Sequence, residues 1–475
     1  MALLDYSEEQ ILERLQFENP WWTKLKIEEY YAQMHPRPYL ELFWKLVAQR
    51  TVRRALVLMG PRRVGKTVMM FHTIQRLIEQ GADPLKIVFV SIETPIYLGR
   101  SLDQLFKLAR NATGKLNTKG WYVLFDEIQY LKEWEVHLKR LVDDYPETRF
   151  IASGSAAAAL RMKSNESGAG RFTDFILPPL TFSEFVELKG LNHLILETQI
   201  QYAGSKAAYY QTNNISELNR HFLDYINFGG YPEVTLSDAV ASDTARYIRN
   251  DIIDKVLLRD LPSLYGIRDV QELNALFTML AFNSGCELSL ESLSQKSGVE
   301  KATVKRYVEY LEAAFLIKVI RPVTENAKRF ERVRQFKVYL TNTSLRAALF
   351  APIASEDQAF GNLVETAIFD QWLHRPNEGL HYARWQKGEV DMVWVNAATM
   401  KPNWAVEVKW SNRFFEKPRD LTSLLKFCKA NGLKSALVTT IEKSGNQILD
   451  GVHLTFAPAS MYVYTVGKNV FLKGS

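Results

Sequence analysis

Up to residue 50 the apolar positions recur at helical spacing. The segment is predicted as helices carrying two aromatic pairs, Trp21-Trp22 and Tyr30-Tyr31, that pack on whatever follows. From residue 54 the pattern changes to short, unbroken apolar runs: RALVLMG ending at Gly60, KIVFVSIE (86–93), WYVLFDEI (121–128) and TRFIASGS (148–155). Stretches long enough for helices separate them, one running to Glu79, another beginning SLDQLFKLAR and a third in WEVHLKRLVDDY. Runs of this kind predict parallel strands buried on both faces of a sheet. Residues 181–283 read as mostly helical, interrupted by FGGYPEV (228–234), and 289–320 read as helix, turn at Gly298, helix and strand, a winged-helix pattern. Alternation returns after 338: a strand and turn in VYLTNTSL, a helix over 360–375, three strands within 380–410, a helix over 419–430 and a strand at 435–440.

The expected fold class is α/β. It comprises helices and a parallel-sheet domain over 1–180, a helical region over 181–283, a winged helix with a basic linker over 284–337, and a second α/β domain over 338–475. A length of 475 residues fits this division, at ~150 residues per domain. Lys and Arg number 59 against 53 Asp and Glu, and the net charge of +6 permits a polyanionic partner without demanding one. With 47% apolar and 24% charged residues, whole-chain disorder and coiled coil are excluded. Cys286 and Cys428 lie far apart in sequence, which argues against a disulfide scaffold or a thiolate zinc site. The opening MALLDYSEEQILERLQ lacks the basic and apolar regions of a signal peptide, and apolar runs such as ALVLM (55–59) fall well short of the ~20 residues a bilayer helix needs. The expectation is a soluble, cytoplasmic protein with no membrane partner.

The strongest chemical signal is GPRRVGKT, residues 60–67, between a strand and a helix. In this pattern Gly60 and Gly65 let the loop wrap phosphates, Lys66 reaches the β- and γ-phosphates, and Thr67 offers a hydroxyl to Mg²⁺. Pro61, Arg62, Arg63 and Val64 complete the loop, and Val68 lies in the first helical turn, whose N-terminus favours anions. VLFDE (123–127) ends another buried strand: Asp126 is the expected partner of the Mg²⁺ shell and Glu127 the base for the attacking water. Ser153 or Ser155, ending the fourth strand, is a candidate γ-phosphate sensor, a plain turn of small residues being the alternative. Arg171, after a Ser/Gly segment, is either a finger reaching a neighbouring subunit's γ-phosphate or a solvated or structural arginine.

GPRRVGKT, LFDEIQYL, SGS, GRF, LPPLTFSEF and FGGYPEV together resemble a widespread group of prokaryotic AAA+ superfamily ATPases, whose members carry a C-terminal domain related to the PD-(D/E)xK nucleases. The resemblance covers roughly 35 to 440. It implies a P-loop AAA+ domain, ATP and Mg²⁺ as cofactors, and the residue roles given above. The C-terminal half shows the matching order: Glu365 in a helix as the usual helical acid, Asp391 in EVDMVW, and Glu407 and Lys409 in AVEVKW. Strand alternation puts Glu407 and Lys409 on one face, and a hairpin brings Asp391 beside Glu407. Such carboxylates bind Mg²⁺ or Mn²⁺, which polarises a phosphate, while Lys409 supports the attacking hydroxide or the transition state. Where related chains often show D-x-G-L after K-x-Y, this one has Asn342 and Ser344.

The winged helix exposes Lys301, Thr303, Lys305 and Arg306 to a DNA groove or serves a protein interaction. The stretch 321–337, with Arg321, Lys328, Arg329, Arg332, Arg334 and Lys337 against Glu325 and Glu331, is expected to track phosphates. The expected activity is ATP hydrolysis coupled to remodelling or moving DNA, with a metal-dependent nuclease site, in a ring or other homo-oligomer. The alternatives are a DNA motor or branch-migration helicase that does not cut, and a STAND-like ATP-switched signalling protein acting on a protein partner.

Overall fold

The computed structural model describes residues 6–154, 170–202, 205–241, 243–328, 334–374 and 379–472. Contacts divide the chain into two units, Met1–Pro178 and Pro179–Ser475.

In the first unit, β1 (Ala55–Met59), β2 (Ile87–Ser91), β3 (Tyr122–Asp126), β4 (Arg149–Gly154) and β5 (Phe172–Ile176) form one sheet in the order β2-β3-β4-β1-β5. Every pairing is parallel, so all five strands end at the same edge. The strands predicted from apolar runs are β1 to β4, almost wholly buried, while β5 is a half-exposed edge strand that the sequence reading did not identify. The longer helices are α1 (Glu8–Glu18), α2 (Tyr39–Ala48), α3 (Lys66–Glu79), α4 (Leu102–Thr113) and α5 (Trp134–Asp144). The lead-in segment covers the other edge strand, β2. Asn19, fully buried, accepts from the Phe89 N–H at 2.7 Å and donates to the Phe89 carbonyl at 2.9 Å. The Trp21 and Trp22 indoles both donate to the Ile87 carbonyl, at 2.9 and 2.8 Å. Backbone groups an edge strand would leave open are thus satisfied by side chains. Tyr31 stacks on Phe71 of α3 at 4.0 Å, whereas Tyr30 stays exposed, so one member of the second aromatic pair does not pack as expected.

The second unit opens with α6 (Phe182–Leu188), the hairpin β6 (Ile195–Tyr202) and β7 (Ser205–Thr212), and α7 (Ile215–Phe228). The hairpin interrupts a 181–283 that is otherwise mostly helical, as expected. At the Gly-Gly-Tyr-Pro turn, Gly230 has φ +96° and a Cβ there would lie 2.1 Å from the Asn342 amide, so only glycine fits. The winged helix consists of α8 (Val270–Phe282), β8 (Glu287–Ser289), α9 (Leu290–Ser297), α10 (Lys301–Ala313) and β9 (Ile317–Ile320), with β10 (Pro322–Val323) and β11 (Gln335–Leu340) following. The small sheet runs β8-β11-β9, and Gly298 ends α9 in the left-handed region at φ +72°. A boundary at 337 therefore cuts through β11, and β10 belongs to the next sheet.

After α11 (Ser344–Leu349) and α12 (Phe360–Leu373) come β12 (Leu380–Trp385), β13 (Gly388–Val395), β14 (Pro402–Glu407), α13 (Thr422–Asn431), β15 (Ser435–Thr440), β16 (Gly445–Leu449), β17 (Val452–Pro458) and α14 (Ala459–Leu472). Their mixed sheet has the order β10-β12-β13-β14-β15-β17-β16. One core packs Val364, Ile368 and Phe369 of α12 with Met392, Val406 and Tyr464, and continues into Phe182, Phe222 and Tyr225. The other packs Leu424, Phe427 and Cys428 of α13 on Val390, Val393 and Val438. The region 181–283 and the C-terminal sheet share a core, so the unit is not divided at 283 or 337. Both cysteines are free, and no helix among the described residues is long and apolar enough to cross a membrane.

Candidate nucleotide site and C-terminal carboxylate site

The loop Gly60–Gly65 leaves β1 at the C-terminal edge of the parallel sheet and enters α3. A Cβ at Gly60, where φ is +156°, would lie 2.1 Å from the Leu177 carbonyl oxygen, and Gly65 has φ +93°. Lys66 is 5% exposed, and its ammonium donates to the carbonyls of Gly60 at 3.1 Å and Pro61 at 2.8 Å. Val64 is buried, and its carbonyl accepts from the Arg37 guanidinium at 3.0 Å; the same group donates to the Pro178 carbonyl at 2.7 Å. Arg62 donates to the Tyr130 hydroxyl at 3.1 Å, Arg63 is exposed with φ +64°, and Val68 is half-buried in the first turn of α3.

Thr67 donates to Asp126 Oδ2 at 2.8 Å, and the buried Ser153 hydroxyl donates to Asp126 Oδ1. Ser153 also accepts from the Glu127 N–H at 3.1 Å, and Gln129 donates to the Glu127 carboxylate. Glu127 has φ +52°, a left-handed conformation costing a non-glycine residue of order 1–3 kcal/mol, which these bonds help to hold. Burial, with repulsion from Glu127, pushes the Asp126 carboxyl up to about 6, against the Ser153 and Thr67 hydroxyls and the Lys66 charge. A buried carboxylate beside a hydroxyl is a donor set suited to a hard cation, and the loop with Lys66 suits phosphates. These residues fit Mg²⁺ and a nucleoside triphosphate. Bound there, Mg²⁺ would neutralise phosphate charge; Lys66 would hold the phosphates, and Glu127 would take a proton from water.

Ser153 thus bridges the two acids, while Ser155 lies outside the described residues. Arg171 is not brought to this site. Its carbonyl accepts from the Ala55 N–H, at the start of β1, and its guanidinium pairs with Asp143 at 2.5 Å. It stands at the opposite edge of the sheet from the P-loop of its own chain.

The second constellation lies in the mixed sheet. β13 and β14 pair with Met392 opposite Val406, which sets Asp391 beside Glu407. Lys409 reaches Asp391 at 3.2 Å and Glu407 at 2.9 Å. Asp391 also accepts from the Val408 N–H at 2.8 Å, and Thr439 holds the Lys409 backbone. Burial first, then repulsion from Asp391, pushes the Glu407 carboxyl up to about 8, and Glu407 Oε2 is buried without a partner. Glu365 lies near enough to Asp391 for their charges to repel, and is held by partners of its own. It accepts from Lys337 at 2.9 Å and Tyr339 at 2.7 Å, and Lys337 also meets Glu389 at 2.6 Å. Among the described residues no group of three or more acids, histidines or cysteines is arranged to hold a metal. Asp391 with the orphaned Glu407 oxygen fits a cation whose shell is completed by water or phosphate, since Mg²⁺ is usually held by one or two carboxylates.

Lys337 corrects a second expectation. It is 4% exposed and serves the carboxylate site rather than a basic linker. Burial lowers its pKa, but Glu365, Asp391 and Glu389 outweigh that and raise it. The K-x-Y alternation of Lys337 and Tyr339 carried this signal; Arg37 and Gln129 had none beyond proximity to a motif. Arg329 and Arg332 lie outside the described residues. On α10, Lys301, Lys305 and Arg306 are exposed and Thr303 half-buried, with Lys301 paired to Glu291 at 2.7 Å and Lys305 to Glu309 at 3.9 Å.

A family model described as an AAA domain matches residues 52–186, spanning the P-loop, Asp126, Glu127 and Ser153. Residues 52–186 form an AAA domain. ATP and Mg²⁺ binding are general to such domains. A second model, a domain of unknown function (DUF8612), matches 219–357 and so brackets the winged helix. The chain is 25% identical over 345 residues to an uncharacterized protein of Methanocaldococcus jannaschii, covering 71% of each. It is 24% identical over 324 residues to one of Haemophilus influenzae, covering 67% of this chain and 74% of the other. Among solved structures, the Walker-type ATPase of Pyrococcus abyssi aligns with a TM-score of 0.39 at 14% identity, over 67% of this chain and 99% of that one. Cdc6p from Pyrobaculum aerophilum aligns with a TM-score of 0.31 at 12% identity, over 68% and 95%.

Proposed function

We infer that this protein hydrolyses ATP through its AAA domain and couples the turnover to remodelling or moving DNA. The observation that carries the hydrolytic reading is the linkage of Thr67, Asp126, Ser153 and Glu127 at the sheet edge where the P-loop begins. Water attacks the γ-phosphorus, Glu127 takes its proton, and ADP leaves. The DNA reading is supported by the winged helix, whose α10 exposes Lys301, Lys305 and Arg306. The ion pairs of Lys301 and Lys305 are exposed and worth ~0–1 kcal/mol each, so a phosphate can compete for them.

Arg171 supports a homo-oligomer, a ring being one form. Because it stands at the sheet edge away from its own P-loop, a role as a finger would be on a neighbour's γ-phosphate. At the C-terminal site Asp391, Glu407 and Lys409 support Mg²⁺- or Mn²⁺-dependent cleavage of DNA. A second reading, a motor whose C-terminal sheet only binds DNA, is favoured by Glu365 being committed to Lys337 and Tyr339.

One experiment tests these readings together: incubate the full chain with duplex, single-stranded and branched DNA, ATP, Mg²⁺ and Mn²⁺, and follow strand length and ATP turnover. DNA-stimulated turnover is expected. Turnover indifferent to every DNA removes the DNA reading, and stimulated turnover without strand shortening leaves the motor.

A further inference from the structure

At the edge of the parallel sheet away from the P-loop lies a cleft of about 410 Å³. Its charged lining is Arg50, Arg53, Arg54, Lys119 and Arg149 against Glu147. β1 starts immediately after Arg54, and its five residues at ~3.3 Å each put the cleft ~16 Å from the P-loop.

The loop that displays these cations is fixed by a buried one. Arg149, 5% exposed, donates to the carbonyls of Leu46, of Val52 at 3.1 Å and of Arg54 at 3.0 Å, and its Nε has no partner. Arg50 is held as well, donating to the Glu147 carbonyl at 2.8 Å with its guanidinium 4.9 Å from the Tyr122 ring centre. The Glu147 carboxylate pairs with Lys119 at 3.4 Å. Arg53 and Arg54 are exposed and form no ion pair among the described residues. Arg149 and Arg50 are accounted for by the bonds that fix the loop, whereas Arg53 and Arg54 are not, and like charges gathered there repel. An anion relieves the repulsion, and guanidinium forks match phosphate oxygens two at a time.

We propose that this cleft binds the phosphodiester backbone of nucleic acid, forming a DNA contact on the AAA domain separate from the winged helix. The inference rests on the DNA reading above. The rim favours a backbone over other anionic surfaces: Val52, 37% exposed, is its exposed large apolar side chain. Protein interfaces centre on aromatic or apolar anchors, and membrane-surface binding needs an apolar face to insert. A site of cations without exposed rings to stack on bases contacts phosphate and does not read sequence.

The test is fluorescence anisotropy of a labelled 20-bp duplex with the full chain, from 50 to 200 mM KCl. R53A/R54A should flatten the log–log salt slope by about 1.8, at about 0.9 for each phosphate no longer neutralised, while R53K/R54K keeps it. Nucleotide affinity should not change in either, since the P-loop is at the other edge. An unchanged slope in R53A/R54A overturns the proposal, as does a reduction confined to phosphatidylserine vesicles or an acidic peptide. If K301A/K305A/R306A abolishes duplex binding while R53A/R54A leaves the slope unchanged, the DNA reading survives and the cleft falls. Wild-type protein that binds no duplex removes both.

Discussion

The Thr67 hydroxyl donates to Asp126 Oδ2 at 2.8 Å, across 59 positions of sequence. Thr67, the last residue of the P-loop motif, is the second residue of α3, and Asp126 ends β3, with β4 lying between β3 and β1 in the sheet. Parallel strands ending at a common edge bring them together. A hydroxyl and a carboxylate meeting there, beside Lys66, make one site from two motifs.

Lys66→Ala should weaken ATP binding about 10- to 100-fold, the loss of a hydrogen bond to a charged group at ~1.5–3 kcal/mol. Titration with a fluorescent nucleotide checks it; an unchanged Kd would remove Lys66 from the phosphate contact.

Ser153→Ala takes a donor from Asp126 and an acceptor from the Glu127 N–H. A buried polar group left unpaired costs ~1–3 kcal/mol. Turnover should therefore drop about 5- to 150-fold while ATP affinity stays near that of the parent. If affinity falls and kcat does not, Ser153 contacts nucleotide instead of positioning the acids.

Lys337→Met keeps the aliphatic length and leaves Glu365 and Glu389 without their shared cation. Breaking a buried pair costs ~3–5 kcal/mol, so the denaturant midpoint of the second unit should fall clearly, and K337M/E365Q should recover part of it. A midpoint unmoved by K337M would show that the pair does not matter to folding.

The Glu407 carboxyl, raised by burial from the usual 4.5 to about 8, binds its proton more tightly in the folded state than in the unfolded one. Its contribution is fully present below about pH 4.5 and is lost progressively up to pH 8. Glu407→Gln should therefore match the parent near pH 4.5 and exceed it increasingly up to pH 8, with Tm rising ~2–4 °C per kcal/mol recovered. Saturating Mg²⁺ should narrow the gap by stabilising the parent alone. A gap that does not depend on pH refutes the shift.

Much of the nucleotide site was legible because burial on both faces of a parallel sheet leaves unbroken apolar runs, and those runs end at the motifs. β5 was not: as a half-exposed edge strand, FTDFI mixes polar with apolar residues. The hairpin β6–β7 pairs only with itself, and its Thr, Gln, Ser and Lys blur any alternation. Lys337 counts, by sequence, among the charges expected to track phosphates, since charge alone does not reveal that a neighbouring helix supplies Glu365. The pairing of Asp391 with Glu407 followed from hairpin register; the hold of Lys337 and Tyr339 on Glu365 depends on β11, which joins the winged-helix sheet rather than the one carrying Asp391.

The most direct test of the central claim is Glu127→Gln, assayed for ATP affinity and turnover in the same preparation. The amide keeps the size and the contact with Gln129 but cannot take a proton from water. General-base catalysis contributes ~10²–10⁴-fold. The account predicts ATP affinity near that of the parent with turnover reduced at least about 100-fold; hydrolysis at the parent rate would contradict it.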